Sequence, residues 1–171
     1  MKNILETNRL MLRELSEEDA DFILELLNEP DYIIFIGDRG VRTHQNAQTY
    51  IKEKIIPSYE KNGFGLYLVE LIDDATPAGV CGLINRDGLP DIDIGYAFLA
   101  SYRGNGYATE AALAVMQLGV HTIGLERIVG ITAVDNQPSI NVLEKVGLHF
   151  EKLITLPGDD EEIMLFAWES T

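Results

Sequence analysis

The sequence predicts an α+β fold with a largely antiparallel central sheet flanked by helices. Three strand-like runs, at 65–71, 78–85 and 92–99, are joined by turns at 73–77 and 86–90. Turns this short join antiparallel neighbours, because a parallel crossover needs a dozen or more residues. Behind them, Ala108, Ala111, Ala112, Val115, Met116 and Gly119 recur at helical spacing on one face. A closing hairpin, 149–156 with 161–168, turns around Pro157-Gly158-Asp159-Asp160.

The remaining elements follow in chain order. Residues 8–14 alternate in part and read as a strand. Ser16 then caps a helix whose first turn is acidic and whose apolar face is Phe22, Ile23, Leu26 and Leu27. A second helix runs from near Thr43 to near Tyr59. After the helix that starts near Gly106, a strand covers 127–134. A short helix at 138–146 has proline in its first turn and Gly147 at its end.

Composition narrows the function classes. The 171 residues suit one domain over 1–171, and no linker, repeat or low-complexity tract divides them. No apolar run approaches the 18 residues of a membrane span, and the N-terminus lacks a signal-peptide core, so a cytoplasmic protein with no membrane partner is expected. The net charge of −15 with no basic patch excludes a nucleic-acid partner and favours a cationic substrate or plain solubility. Cys81, alone among Val80, Gly82 and Leu83, reads as a buried apolar residue. His44, His121 and His149 lack metal-ligand spacing, and no metal is expected.

Chemistry concentrates in Arg103-Gly104-Asn105-Gly106-Tyr107-Ala108, a glycine-rich loop between a strand and a helix. The first amides of a helix have no internal acceptor, and the helix dipole places partial positive charge there. Glycines let those amides approach a phosphate, and Arg103 can add a charged contact. The P-loop string is absent, and a dinucleotide fingerprint lacks its third glycine at Thr109 and its parallel βαβ setting. A glycine-rich turn without a ligand is the plain alternative.

Three blocks in order point further. Arg103, Gly106 and Ala108 fit R-x-x-G-x-A. Asn136, Ser139 and the run Val142-Leu143-Glu144-Lys145-Val146-Gly147-Leu148 follow it. Thr7-Asn8-Arg9-Leu10-Met11-Leu12-Arg13 opens the chain, and Ile94-Gly95-Tyr96 precedes the loop. This set resembles the GNAT superfamily of N-acetyltransferases, in its Rim-like branch of ribosomal-protein N-terminal acetyltransferases.

The resemblance implies a GNAT-type mixed sheet in which two parallel strands, 92–99 and 127–134, splay apart around acetyl-CoA. It implies that the pantetheine arm pairs with backbone around Phe98, Leu99 and Ala100. The pyrophosphate would meet amides from Arg103 through Gly104, Asn105, Gly106, Tyr107 and Ala108 to Thr109. Asn136 would bind the pantetheine, Ser139 would approach the sulfur, and Lys145 would reach a phosphate. Asn136 as a helix cap and Lys145 as a solvated charge are the plain alternatives.

The implied reaction is direct attack of a primary amine, a protein N-terminal α-amine or a small cationic amine, on the acetyl carbonyl. A backbone N–H near Tyr96 to Phe98 would hold the oxyanion. Many relatives carry a tyrosine acid four residues after the serine; here that position is Leu143. Ser139 is therefore expected to stabilise the leaving thiolate by a hydrogen bond. Asp93, alternating with Ile92 and Ile94, is the first candidate base. Glu70 and the acidic run 159–162 are others. A non-catalytic acyl-CoA-binding regulatory module is the alternative function, and monomer and homodimer are both compatible with the sequence.

Overall fold

A computed structural model describes residues 2–171. Eight strands form one sheet: β1 (Asn3–Glu6), β2 (Leu10–Glu14), β3 (Leu66–Leu71), β4 (Pro77–Ile84), β5 (Asp93–Phe98), β6 (Arg127–Thr132), β7 (His149–Ile154) and β8 (Ile163–Glu169). Their spatial order is β1-β2-β3-β4-β5-β6-β8-β7. Every neighbouring pair is antiparallel except β5 with β6, which is parallel. The three-strand meander and the closing hairpin stand where the turns place them.

Helices cover both faces. On one lie α1 (Ala20–Leu27), α2 (Pro30–Phe35), α3 (His44–Tyr50) and α4 (Ile56–Asn62). On the other lie α5 (Tyr107–Gln117) and α6 (Gln137–Lys145). Phe22, Ile23, Leu26 and Leu27 of α1 pack with Ile51, Leu68, Val80 and Leu99 in one buried cluster. Ala111, Ala112 and Val115 of α5 and Leu143 of α6 pack with Leu12, Ile94, Ile128 and Phe166 in the other. The small residues of α5 are buried, which brings that helix close to the sheet.

The start of α1 follows from its sequence: the Ser16 side chain accepts from Glu18 N–H while the Asp19 carboxylate accepts from Ser16 N–H, a reciprocal cap. A short 3₁₀ turn, Glu17–Asp19, precedes α1. The second expected helix begins at its Thr43 cap but passes through a π-helical segment, Ile51–Ile55, before α4. β1 and α2 are elements the sequence reading did not anticipate.

Candidate active site

β5 and β6 meet at one rung only. Asp93 pairs with Val129, whose N–H donates to the Ile92 carbonyl at 2.9 Å. Past that rung β5 stays on β4 as far as Gly79–Phe98, and β6 stays on β8 as far as Thr132–Met164. The two parallel strands therefore diverge from a closed end at Asp93 toward an open end at Phe98.

Main-chain groups facing this gap can be assigned. Leu99 N–H donates to the Ala78 carbonyl of β4 at 3.0 Å, whereas the Ile92 carbonyl faces β6. Peptide groups alternate sides along a strand. The N–H and C=O of Tyr96 and Phe98 therefore point into the gap, and those of Gly95 and Ala97 point to β4. Side chains alternate as well. Ile94 and Phe98 join the α5/α6 cluster, with Tyr96 packed against it, and Ala97 joins the opposite one.

The open end runs into the loop before α5. Gly104 and Gly106 adopt φ of +79° and +81°. This left-handed geometry suits glycine and turns successive amides outward. Open space surrounds a Cβ position on Gly104, and only Arg9 Nη2, at 3.5 Å, approaches one on Gly106. The first helical bond of α5 is donated by Glu110 N–H to the Gly106 carbonyl at 3.0 Å, so the amides of Tyr107, Ala108 and Thr109 have no helical acceptor. A groove of about 640 Å³ contains Gly106, Thr109 and Lys145. That groove follows α5 from Gly106 to Gln117, and Lys145 is the lysine among its lining residues.

Across the gap, Asn136 caps α6 by accepting from Ser139 N–H at 3.4 Å. Ser139 lies in the first turn of α6, and Tyr96 Oη is 3.0 Å from both its carbonyl oxygen and its Oγ. Burial pushes the Tyr96 phenol well above the ordinary tyrosine range, although the Ser139 hydrogen bond opposes the shift.

At the closed end Asp93 is 0% exposed. Its Oδ2 accepts from Arg86 Nε at 3.2 Å, and its Oδ1 has no partner among the described residues. Burial raises the Asp93 carboxyl above the usual carboxylate range, and Arg86 opposes that only in part.

Comparison with known proteins identifies the architecture. The acetyltransferase (GNAT) domain family matches residues 9–149. The chain belongs to that family. It is an acyltransferase whose donor is acetyl-CoA. An uncharacterized N-acetyltransferase of Bacillus subtilis, YnaD, is 28% identical over 145 residues, 85% of this chain and 82% of that protein. The structure of RimL, a ribosomal L7/L12 α-N-protein acetyltransferase in complex with coenzyme A, superposes with a TM-score of 0.83 at 19% identity, covering 98% of each chain. An Agrobacterium tumefaciens acetyltransferase gives the same TM-score at 21% identity, over 99% of this chain and 95% of that one.

Several of the residues expected at the donor site have partners within the protein. The Arg103 guanidinium does not face the amide cradle: its Nε donates to the Phe98 carbonyl at 3.1 Å and its Nη1 pairs with Asp31 at 2.5 Å. Its own N–H donates to the Ala100 carbonyl at 3.2 Å, unlike the amides from Gly104 to Thr109 that follow it. Part of the backbone expected to meet a pantetheine arm is paired in the same way. Leu99 N–H is held by β4, Ala100 N–H donates to Glu29 Oε1 at 2.9 Å and the Phe98 carbonyl accepts from Arg103, so the Tyr96 peptide group and the Phe98 N–H are the strand groups left facing the gap. Asn105 shapes the loop through Nδ2 contacts to the Tyr102 and Arg103 carbonyls, and the Tyr107 ring lies 4.5 Å from the Arg9 guanidinium.

Of the other bases considered, Glu70 is tied to Arg13 at 2.5 Å on β3, and β4 separates it from β5. Leu143 is 1% exposed and packs beneath Gly130 of β6, so position 143 serves the core. The opening motif is a clamp. Thr7 and Arg9 hold the Glu110 carboxylate with contacts of 2.6 to 3.0 Å, and Arg13 binds Asp19 and Glu70. Sequence reasoning missed the Tyr96–Ser139 contact and the Arg86 partner of Asp93. Strand alternation, which puts Tyr96 on the side of Ile94, was the available signal for the first.

Proposed function

We propose that this chain transfers an acetyl group from acetyl-CoA directly to a primary amine, a protein N-terminal α-amine or a small cationic amine. The supporting observation is the single-rung divergence of β5 and β6, which opens onto a cradle of helix-start amides. In this reading the Gly104 to Thr109 amides and Lys145 hold the phosphates, and the Tyr96 peptide group and the Phe98 N–H meet the pantetheine arm. Either of their N–H groups can serve the developing oxyanion. Asn136 retains its Nδ2 donor beyond the cap.

The two faces divide the chemistry. Asp93 lies on the α1–α4 face of β5 and Ser139 on the α6 side, so an amine and a leaving sulfur are attended from opposite sides. Asp93 binds the incoming amine or takes its proton, and its elevated carboxyl suits it to a base working nearer neutrality. Direct transfer fits, because Cys81 is 0% exposed and burial pushes its thiol up, away from a reactive thiolate. The α-amine fits this site because its pKa of about 8 demands little from a base. A cationic amine fits the net charge of −15.

The test is thiol release from acetyl-CoA across peptides of varied N-terminal residue and a set of polyamines. Release above the hydrolysis rate with at least one amine is expected. Tight acetyl-CoA binding with no release on any acceptor would overturn the reading.

A further inference from the structure

The Tyr96 hydroxyl is a group beside the gap whose hydrogen bonding the proposed mechanism leaves unused. Its phenol has one proton and two neighbours, the Ser139 carbonyl oxygen and Ser139 Oγ, each at 3.0 Å. A carbonyl can only accept. If Tyr96 donates to the carbonyl, Ser139 Oγ–H must donate to Tyr96 Oη for both contacts to be hydrogen bonds. The serine proton is then committed to the phenol and faces away from a sulfur. If Tyr96 donates to Oγ instead, the serine proton is released.

We propose that Tyr96 is the positioning residue of the leaving-group site: its hydroxyl decides where the Ser139 proton points, and the pair acts as one donor toward the departing sulfur. This rests on the acetyl-transfer reading above and refines it at the position where Leu143 replaces a tyrosine. A neutral thioester sulfur is a weak acceptor and leaves the pair in its closed form. Negative charge growing on the sulfur favours the open chain, Tyr96 O–H to Ser139 Oγ and Ser139 O–H to sulfur. The stabilisation is therefore greater in the transition state than in the ground state, as catalysis requires. Each bond of such a chain polarises the next.

The balance is simple. The amine nitrogen forms a bond to the acetyl carbon, and the carbon–sulfur bond breaks with its electron pair going to sulfur. The proton leaves nitrogen to the base, and the thiolate takes one from solvent after departure. Tyr96 and Ser139 finish with the protons they began with. The high phenol pKa suits this role, since Tyr96 lends a hydrogen bond and keeps its proton. The local frame keeps the pair in register. The Ser139 N–H is held by Asn136, and the Leu143 side chain further along α6 is packed under Gly130.

A structural clamp between β5 and α6 would show the same contacts, so the test must separate the two roles. Tyr96→Phe, Ser139→Ala and the double variant are assayed for acetyl-CoA thiol release with the best acceptor from the amine panel. Slow hydrolysis of acetyl-CoA, which breaks the same bond, serves as the second assay. Each single variant is expected to lose about 10- to 100-fold in kcat, the range for one hydrogen bond to a charged group. KM for acetyl-CoA should stay within about twofold, and the double variant should be no slower than the worse single one. Fluorotyrosines at position 96 lower the phenol pKa at almost constant shape, and kcat should rise along that series.

Unchanged kcat in Tyr96→Phe overturns the proposal, as do single losses that multiply in the double variant. If Tyr96→Phe fails to fold, the fluorotyrosine series decides: a flat kcat at constant melting temperature means a clamp. No thiol release from the wild-type protein would instead refute the acetyl-transfer reading itself.

Discussion

Arg13→Leu should destabilise the fold without weakening the donor site. The Arg13 Nη groups reach the two Asp19 carboxylate oxygens at 2.8 and 3.0 Å, and Nε reaches Glu70 at 2.5 Å. The three side chains are 9%, 8% and 13% exposed. Leucine fills the stem volume but leaves two carboxylates facing each other out of water. Removing one partner of a buried ion pair costs about 3–5 kcal/mol. Asp19 keeps its bond from Ser16 N–H at 2.8 Å, which favours the lower figure. At roughly 2–4 °C per kcal/mol for a chain of this size, about 3 kcal/mol lowers the melting temperature by about 6–12 °C. Thermal unfolding followed by circular dichroism reads this directly. Arg13→Leu/Glu70→Gln should recover part of the loss, since one stranded charge is gone. A melting temperature within about 2 °C of wild type would refute the charge argument. A large fall in acetyl-CoA affinity in the folded variant would refute the reading of the opening motif as a clamp.

Gly82→Ala should cost about 3 kcal/mol, because its Cβ would stand 2.0 Å from the Gly65 carbonyl oxygen and backbone cannot swing aside as a side chain can; denaturant titration measures it. Asp93→Asn should remove the acidic limb of the pH–rate profile. A carboxyl raised by burial is protonated, and so inactive as a base, at a higher pH than an ordinary one; an unchanged limb would exclude Asp93. Lys145→Ala should weaken acetyl-CoA binding by about 2- to 5-fold, the worth of one exposed charged contact, with kcat preserved; isothermal titration at two salt concentrations checks both size and screening.

How far the sequence discloses this molecule depends on the range of the forces involved. The 65–99 meander is legible because turn length alone dictates antiparallel neighbours. The small-residue face of α5 is legible because one periodicity encodes it. β1 is not: only Ile4 and Leu5 are half-buried, and the segment becomes a strand by pairing with β2. α2 is not either, since Ile33, Ile34, Phe35 and Ile36 form an apolar run without period, and Ile34 is 71% exposed. The same division runs through the site. The glycine loop announces an anion cradle locally. The state of Arg103 is set by Asp31, 72 residues away, and a phosphate-binding arginine reads identically to a paired one. Asp93 is legible as a candidate from alternation, but its missing Oδ1 partner is a property of packing.

The charge distribution gives the cradle its physical logic. The chain carries −15, and its donor is a polyanion. Six of its seven arginines already hold carboxylates, including Arg9 on Glu110 and Arg103 on Asp31 at the margins of the cradle. Side-chain cations there are neutralised inside the protein. In the proposed reading what remains for phosphates would be main chain: amides whose partial charges are fixed by the α5 start and the left-handed glycines, with Lys145 lining the same groove. Such donors act at contact range and are indifferent to surface charge beyond the Debye length of about 8–10 Å. The long-range field would then be free to act on the proposed acceptor, since a negative surface attracts a cationic amine. On the proposed reading donor and acceptor would be selected by different physics, the first by main-chain geometry and the second by the field, so that a strongly acidic protein would bind coenzyme A at one end of the gap and draw a cationic amine to the other.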